Sequence, residues 1–167
     1  MTRAAAFLDR DGVINVERGH IRRPEDFELR SGTVDGLAAL QAGGFLLVVV
    51  TNQSWMSESR QAVSQYGDVT MRMVEVLGAR GVRLDGIFHC PHHPSAGCLC
   101  RKPAPGLILA AARIHDVDLA ASILIGDQQR DIDAGVAAGV GRRFLIGPRT
   151  TLHRVAQRVL AVAGSTE

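Results

Sequence analysis

Short apolar runs alternate along the chain with longer stretches in which apolar positions recur at helical spacing. The apolar runs predict strands at 4–8, 45–50, 86–89, 122–125 and 143–146. The stretches between and after them predict helices at 34–42, 57–80, 105–114, 134–138 and 151–162. Because strand and helix alternate throughout, the predicted fold class is α/β, a parallel sheet with helices on both faces.

Glycine, proline and small polar residues mark where these elements begin and end. Thr33 is placed to cap the first helix and Gly43-Gly44 to end it, whereas the proline-broken stretch 22–26 predicts a loop. No connection is long enough for a second folded unit. We therefore expect residues 1–167 to form one domain with an open crevice and no separate cap.

Two aspartates, Asp9 and Asp11, directly follow the first predicted strand and precede Gly12, where the chain can turn away. In an extended backbone residues two positions apart point to the same side, so both carboxylates should converge beyond the sheet edge, where α/β proteins bind ligands. Such a pair suits phosphoryl transfer, because a magnesium ion or a proton can offset the repulsion between the acids. Asp9 would form an aspartyl-phosphate, and Asp11 would exchange protons with the leaving group and with water.

An Asp-x-Asp pair taken alone is more often a solvated turn. An EF-hand calcium loop also begins this way, but it needs an oxygen ligand and a glycine at its fifth and sixth positions, where this chain has Val13 and Ile14. The phosphoryl-transfer hypothesis therefore needs support from elsewhere in the chain.

Four further residues suit the same chemistry. Thr51 follows the second strand, and its hydroxyl and the backbone amides after it can donate to phosphoryl oxygens. Lys102 precedes the third helix and can place an ammonium against the transferring group. Asp127 follows the fourth strand as a second carboxylate for magnesium, and Asp131 either orients Asp127 or caps the next helix. Each is weak support alone, because such residues are more often structural.

Together, Asp9-x-Asp11, Thr51, Lys102 and Gly126-Asp127-x3-Asp131 resemble the four ordered motifs of the haloacid dehalogenase (HAD) superfamily. The resemblance implies a Rossmann-like α/β fold and magnesium-dependent hydrolysis of phosphate esters. It implies Asp9 as nucleophile, Asp11 as general acid and base, and Thr51 and Lys102 as stabilisers of the phosphoryl group. It also implies that magnesium binds Asp9, Asp127 and Asp11, the last through its backbone carbonyl.

A cluster of cysteine and histidine precedes Lys102. The spacing C-x-H-x5-C-x-C places Cys90, His92, Cys98 and Cys100 as the closed ligand set of a structural zinc ion. Unpaired buried thiols are the alternative interpretation, and His93 is an alternative to His92. Because this loop runs directly into Arg101-Lys102, zinc would fix the lysine, and its removal should weaken catalysis indirectly.

Three stretches narrow the resemblance further: FLDRDGVIN at 7–15, TNQS at 51–54, and CPHHP with CRKPAPG at 90–94 and 100–106. They are similar to the D-glycero-D-manno-heptose-1,7-bisphosphate 7-phosphatases, with the histidinol-phosphate phosphatases as the nearest alternative. The heptose resemblance implies removal of the 7-phosphate during synthesis of nucleotide-activated heptose for a surface polysaccharide such as lipopolysaccharide or capsule. The substrate-binding residues that it implies are Glu17, Arg18, Gly19, His20, Asn52, Gln53, Ser54, Arg101 and Gln128.

One segment departs from the heptose pattern. After residues 51–54 those enzymes continue with glycine and then Ala-Arg-Gly, whereas this chain continues through residues 55–59 as Trp-Met-Ser-Glu-Ser. A cation expected near the substrate is thus replaced by Glu58, which would disfavour a second phosphate close by unless Arg60 takes over. The departure does not change the residues expected to carry out phosphoryl transfer, but it leaves open which sugar is the leaving group.

Composition excludes several other classes of function. The 167 residues are 46% hydrophobic and 22% charged, which is ordinary for a globular protein. A net charge of +2 without a basic run argues against a nucleic-acid partner. The last quarter of the chain is rich in arginine, which indicates a solvated surface in the first place and, as the alternative, a positive rim that helps to attract a phosphorylated substrate. No apolar run reaches the roughly 20 residues that span a bilayer, and the start lacks a secretory signal.

We therefore expect a cytoplasmic protein, with a monomer favoured, whose partner is a small phosphorylated sugar and which binds neither membrane nor nucleic acid. The alternative from another class is a catalytically silent zinc module that binds a phosphorylated partner. The nucleophile Asp9 argues against it, because simple binding does not require one.

Overall fold

The structure, a computed structural model, describes residues 2–163. Five parallel strands form one sheet in the order β3-β2-β1-β4-β5. The strands are β1 (Ala5–Leu8), β2 (Leu46–Asn52), β3 (Gly86–Cys90), β4 (Ile123–Gly126) and β5 (Arg142–Leu145). The α-helices are α1 (Thr33–Ala42), α2 (Arg60–Gly78), α3 (Gly106–His115), α4 (Gln129–Ala138) and α5 (Leu152–Ala163). The predicted α/β fold class is confirmed.

The sheet is buried on both faces, which explains why its strands are continuously apolar. Alternate residues of each strand enter different cores: Leu8 and Val49 pack with α1, α2 and α5, whereas Phe7 and Val48 pack with α3 and α4. This division of the helices follows from right-handed crossovers, because the chain moves from β1 towards β3 and then returns to β4 on the other side of β1.

Strand β1 lies at the centre and pairs with β2 on one side and β4 on the other. Leu8 is level with Val49 of β2 and with Ile125 of β4, so the carboxyl ends of the three strands open at one edge of the sheet. The order of the strands reverses beside β1, and ligands of open α/β sheets bind at such a point.

Several boundaries differ from the sequence prediction. Helix α4 begins five residues earlier than predicted, because a capping box between Gln128 and Asp131 starts it within a polar first turn that hydrophobic periodicity cannot detect. Helix α2 begins at Arg60, and residues 54–58 before it form a 3-10 helix. Thr33 is not a cap, since Gly32 holds that position and the Thr33 hydroxyl donates to the carbonyl of Ile14.

Residues 24–26 of the predicted loop form a single 3-10 turn. Among the described residues, no helix combines the length and the apolar content required to cross a bilayer.

Candidate active site

The chain turns sharply after β1 and brings its acidic loop against the end of β4. The amide of Asp9 still donates to Ile125, at 3.0 Å, and the amide of Ile14 then donates to the carbonyl of Arg10, at 2.8 Å. Gly12 has φ of 81°, and a Cβ at this position would lie 2.1 Å from Oδ2 of Asp127. Only glycine fits this position, and the close approach places Asp127 beside the turn.

A buried lysine lies between two carboxylates at the centre of the site. Nζ of Lys102 is 3.0 Å from Oδ1 of Asp9 and 2.6 Å from Oδ1 of Asp131. The same ammonium donates to the carbonyl of Val50, at 2.8 Å. Burial acts to lower the pKa of Lys102, but the charges of Asp9 and Asp131 outweigh it and raise the pKa, so the ammonium stays charged.

Negative charge exceeds positive charge in this cluster. Asp9, Asp127 and Asp131 each offer a carboxylate oxygen, and these oxygens lie within 4.8 Å of one another. Burial, together with the charges of Asp131 and Asp11, raises the pKa of Asp9 to about 6 against the opposing effect of Lys102. Burial also raises the pKa of Asp127. A cation placed among these oxygens would relieve the desolvation and the repulsion that cause both shifts.

Asp11 is not among the three residues whose carboxylate oxygens lie within 4.8 Å of one another. Strand β1 ends at Leu8, so Asp9 and Asp11 both lie in the turn that follows the strand. The carboxylate oxygens of Asp11 accept hydrogen bonds from Arg10 at 3.0 Å, from Asn15 at 3.0 Å and from Gln53 at 2.8 Å. The charge of Asp11 is one of the causes that raise the pKa of Asp9.

Thr51 lies near the end of β2 and Gln53 directly follows the strand, and both are buried. Nε2 of Gln53 donates to Oγ1 of Thr51 at 2.9 Å and to Oδ2 of Asp11 at 2.8 Å. Oε1 of Gln53 accepts from the indole of Trp55 at 2.7 Å. Both amide hydrogens of Gln53 are thus used in hydrogen bonds within the protein. The predicted contact of Gln53 with substrate stays a prediction.

Asn52 fixes the backbone on either side of the Lys102 side chain. Its Nδ2 donates to the carbonyl of Lys102 at 3.1 Å, and its Oδ1 accepts from the Lys102 amide at 3.0 Å. Asn52 thus holds the backbone of the lysine, and its predicted contact with substrate stays a prediction. Ser54 is half-buried, and its carbonyl accepts from the hydroxyl of Ser57 at 2.7 Å.

The four predicted zinc ligands come together at the end of β3. Cys90, His92, Cys98 and Cys100 offer ligand atoms within 4.8 Å of one another, a group that could hold a metal ion. His93, the alternative to His92, is not in this group, because its Nδ1 bonds the hydroxyl of Ser95 at 2.7 Å.

Backbone hydrogen bonds join the cysteine loop to Gln53, after β2, and to the start of α3. The amide of Gln53 donates to the carbonyl of Cys90 at 2.8 Å, and the amide of Gly106 donates to the carbonyl of Leu99 at 3.1 Å. A Cβ on Gly106 would lie 2.3 Å from that carbonyl oxygen, so the cysteine loop packs tightly on the start of α3.

The other predicted substrate-binding residues surround this centre. Glu17 and Gln128 line a cavity of about 500 Å³ together with Gly12 and Asp127. Arg101 lines a separate cavity of about 320 Å³ beside Lys102.

The remaining three predicted residues lie in the exposed loop 17–20. Arg18 forms an ion pair with Glu28. Gly19 donates its amide to Glu17 at 2.6 Å, and His20 stacks on Trp55 with ring centroids 6.2 Å apart.

The segment that departs from the heptose pattern is folded against this loop. Trp55 is 2% exposed, and the guanidinium carbon of Arg22 lies 4.9 Å from the centroid of its ring. The same guanidinium pairs with Glu58 at 2.7 Å. The charge of Glu58 is therefore balanced by Arg22.

Sequence reasoning missed three residues that organise the site. Arg10 is 1% exposed and binds Asp11 with two nitrogens, and its position between two aspartates was a signal for this pairing. Asn15 donates to the same carboxylate. Arg30 donates to the carbonyls of Gly12 and Gly147 and so joins the acidic turn to the loop after β5. No local pattern marks Arg30, because its partners are distant in sequence.

Comparison with known proteins agrees with this geometry. A HAD-hydrolase-like family model matches residues 99–144. The chain is 43% identical over 149 residues to the D-glycero-beta-D-manno-heptose-1,7-bisphosphate 7-phosphatase of Escherichia coli (strain K12), covering 85% of this chain and 78% of that protein. It is 41% identical over 153 residues to the protein of the same name from Vibrio cholerae, covering 87% and 82% respectively.

A crystal structure with a similar fold is that of the D,D-heptose 1,7-bisphosphate phosphatase from B. bronchiseptica complexed with magnesium and phosphate. It superposes with a TM-score of 0.84 at 30% identity and covers 95% of this chain and 99% of its own. The likeness therefore extends over nearly the whole fold as well as over the motifs.

Proposed function

The chain belongs to the D-glycero-beta-D-manno-heptose-1,7-bisphosphate 7-phosphatase family of HAD-type phosphoric monoester hydrolases, and on that premise we propose that it removes the 7-phosphate of D-glycero-D-manno-heptose 1,7-bisphosphate. The observation that carries the proposal is the buried Lys102 between Asp9 and Asp131, beside Asp127 at the carboxyl ends of the central strands. Simple binding of a phosphorylated ligand needs no carboxylate of raised pKa in this position.

Asp9 is the nucleophile of this mechanism. Its Oδ1 is occupied by the amide of Arg10 at 2.8 Å and by Lys102 at 3.0 Å, so we assign the attack on phosphorus to Oδ2. The bond to the leaving oxygen breaks as the bond from Asp9 forms, which gives an aspartyl-phosphate that water then hydrolyses. Lys102 and the hydroxyl of Thr51 stabilise the charge on the phosphoryl oxygens.

Asp11 is the general acid and base of both steps. Its carboxyl group protonates the departing sugar oxygen and later accepts a proton from the attacking water. Arg10, Asn15 and Gln53 hold it in place through hydrogen bonds to its oxygens. The metal does not occupy the carboxyl group of Asp11 in this proposal, because only the backbone carbonyl of Asp11 is assigned to it.

The acidic group fits a hard divalent cation such as magnesium. Asp9 and Asp127 offer carboxylate oxygens, which magnesium prefers, and the backbone carbonyl of Asp11 is the third ligand in this proposal. Bound there, the ion would neutralise charge on the phosphate and on Asp9. The relative from B. bronchiseptica was crystallised with magnesium and phosphate.

The cysteine group fits zinc. Its sulfur atoms are separated by 3.4 and 3.6 Å, and His92 lies 3.2 and 3.5 Å from two of them. A tetrahedron with zinc–sulfur bonds of about 2.3 Å has edges of about 3.8 Å, close to these separations. Three thiolates and one imidazole leave no open position, so we assign this ion a structural role.

The cavity beside Asp127 and the loop 17–20 are the proposed site of the sugar. Glu17 and Gln128 line that cavity, and Arg101 lies on the other side of Lys102. Because Arg22 balances Glu58, the segment 55–59 does not present a free negative charge to a second phosphate.

The test is a comparison of substrates by phosphate release. Both anomers of the heptose bisphosphate are compared with histidinol phosphate, and the product is analysed by phosphorus NMR. We expect kcat/KM to be highest for a heptose bisphosphate, the beta anomer first, with the remaining phosphate on C1. A preference for histidinol phosphate, or release of the C1 phosphate, would contradict the proposal.

A further inference from the structure

Trp55 lies between the acid/base group and the exposed loop around residue 20. It is the one tryptophan of the sequence and is 2% exposed. Tyr66 packs against it edge-on with centroids 6.5 Å apart. His20 stacks on the indole, and the guanidinium of Arg22 lies over its ring. The indole is therefore held firmly, and its single polar atom points inward.

That polar atom decides how the amide of Gln53 is oriented. An indole N–H can only donate, so the atom of Gln53 that lies 2.7 Å from Trp55 must be the oxygen Oε1. Nε2 then faces the other way, 2.8 Å from Oδ2 of Asp11 and 2.9 Å from Oγ1 of Thr51. In the opposite orientation, the amide oxygen would face the Asp11 carboxylate and the two would repel each other.

We propose that Trp55 is a positioning residue for proton transfer, which acts by fixing Gln53 so that its NH2 group holds the carboxyl of Asp11. This inference rests on the proposed function, in which Asp11 is the general acid. Gln53 is accordingly a second positioning residue and not a ligand of the substrate. Its burial to 2% exposure agrees with that role.

The proposal predicts an effect that depends on the leaving group. A sugar alkoxide is a poor leaving group and needs a proton from Asp11, whereas p-nitrophenolate leaves without one. The ratio of kcat/KM for the two substrates therefore reports on Asp11. An effect through Thr51 acts on the phosphoryl group of both substrates and cancels in the ratio.

The first variant is Trp55→Phe, which keeps an aromatic ring and removes the donor. We expect kcat/KM for the heptose bisphosphate to fall about tenfold and that for p-nitrophenyl phosphate to change less than about twofold. The matched control is Tyr66→Phe, which removes a polar atom from the same aromatic cluster and should leave the ratio unchanged.

Because phenylalanine is smaller than tryptophan, a second replacement separates packing from hydrogen bonding. Benzothienylalanine has the shape of tryptophan with sulfur in place of N–H. Since the chain has a single tryptophan, it can be introduced at this position alone. We expect the same shift in the ratio, with the melting temperature followed by circular dichroism.

A double-mutant cycle tests whether the effect passes through the amide. In a Gln53→Met background, Trp55→Phe should lower the ratio by less than about twofold further. Equal losses for both substrates, an unchanged ratio, or a full additional loss in the Gln53→Met background would each overturn the inference. Failure of the proposed function would give a different result, because the unaltered protein would then release no phosphate from the heptose bisphosphate. The ratio could still be measured with any alkyl phosphate that the protein cleaves.

Discussion

Asp9 lowers the stability of the metal-free protein, because its carboxylate is buried beside two other acids. Its pKa is raised to about 6 from an ordinary 3.8, so the folded state binds the extra proton between these values. The contribution that protonated Asp9 makes to the free energy of unfolding is therefore fully present below pH 4 and is lost as the pH rises through 6. At 1.36 kcal/mol per pKa unit, the ionised group destabilises the fold by about 2 to 3 kcal/mol.

The corresponding prediction concerns Asp9→Asn in magnesium-free buffer. This variant should be more stable than the unaltered protein at pH 7.5, by up to about 2 to 3 kcal/mol in urea unfolding, and should lose turnover. The difference should shrink towards pH 4.5, where Asp9 is protonated. Asp133→Asn, at an exposed position of α4, is the control. Equal free energies of unfolding for Asp9→Asn and the unaltered protein at pH 7.5 would show that burial of ionised Asp9 does not destabilise the fold.

Gly12 offers a second prediction at the scale of a single residue. Gly12→Ala introduces backbone strain of about 1 to 2 kcal/mol and a Cβ 2.1 Å from Oδ2 of Asp127. We expect Asp127 to be displaced and the magnesium concentration for half-maximal activity to rise at least about tenfold. Gly81→Ala is the matched control, with φ of 76° and open space around it. If both variants require the same magnesium concentration as the unaltered protein, Asp127 does not serve as a ligand.

Single-residue chemistry was largely predictable from sequence, whereas hydrogen-bond partners were not. Asp9 and Asp127 were identified because they follow apolar runs, and Lys102 because it precedes a predicted helix. The hydrogen-bond partners of Asn52 and Gln53 could not be identified in this way, because they lie 50 and 42 residues away and depend on side-chain conformation.

At the scale of elements, two devices hold the segment that carries Lys102. The cysteine cluster lies before it in the chain, and Asn52 of β2 pairs with its backbone amide and carbonyl. The asparagine constrains this backbone from one direction, and the zinc ion proposed for the cluster would constrain it from the other.

This redundancy predicts a non-additive effect of zinc removal. Chelation of zinc alone and Asn52→Ala alone should each lower kcat moderately, by less than about tenfold. The two together should lower kcat by more than the product of the separate effects, because Lys102 then loses both supports. The measurement is kcat before and after chelation and after return of zinc, with circular dichroism to verify folding. Purely multiplicative effects would indicate that the two supports act independently.

Element boundaries show the limits of the hydrophobic pattern. Helix α4 was predicted too short because its first turn is polar and is fixed by Gln128 and Asp131. Asp131 was expected to cap the helix or to orient Asp127; it caps the helix, and its other oxygen binds Lys102. A local pattern can suggest the cap but cannot reveal a partner on another element.

At the scale of the whole molecule, alternation of strand and helix predicted the parallel sheet and its two helical layers. It could not predict that β1 lies between β2 and β4, because strand order is set by contacts between distant segments. That order nevertheless decides the function. It brings the ends of β1, β2 and β4 to one edge, where Asp9, Thr51 and Asp127 surround the position proposed for phosphorus.

The most direct test of this arrangement is a crystal structure with magnesium and beryllium trifluoride, a mimic of the phosphoryl group. We expect beryllium bonded to a carboxylate oxygen of Asp9, with Lys102 and Thr51 against the fluorides and magnesium between Asp9 and Asp127. Beryllium bound at another side chain, or an Asp9 that carries nothing at saturating concentrations of both ions, would contradict Asp9 as the nucleophile.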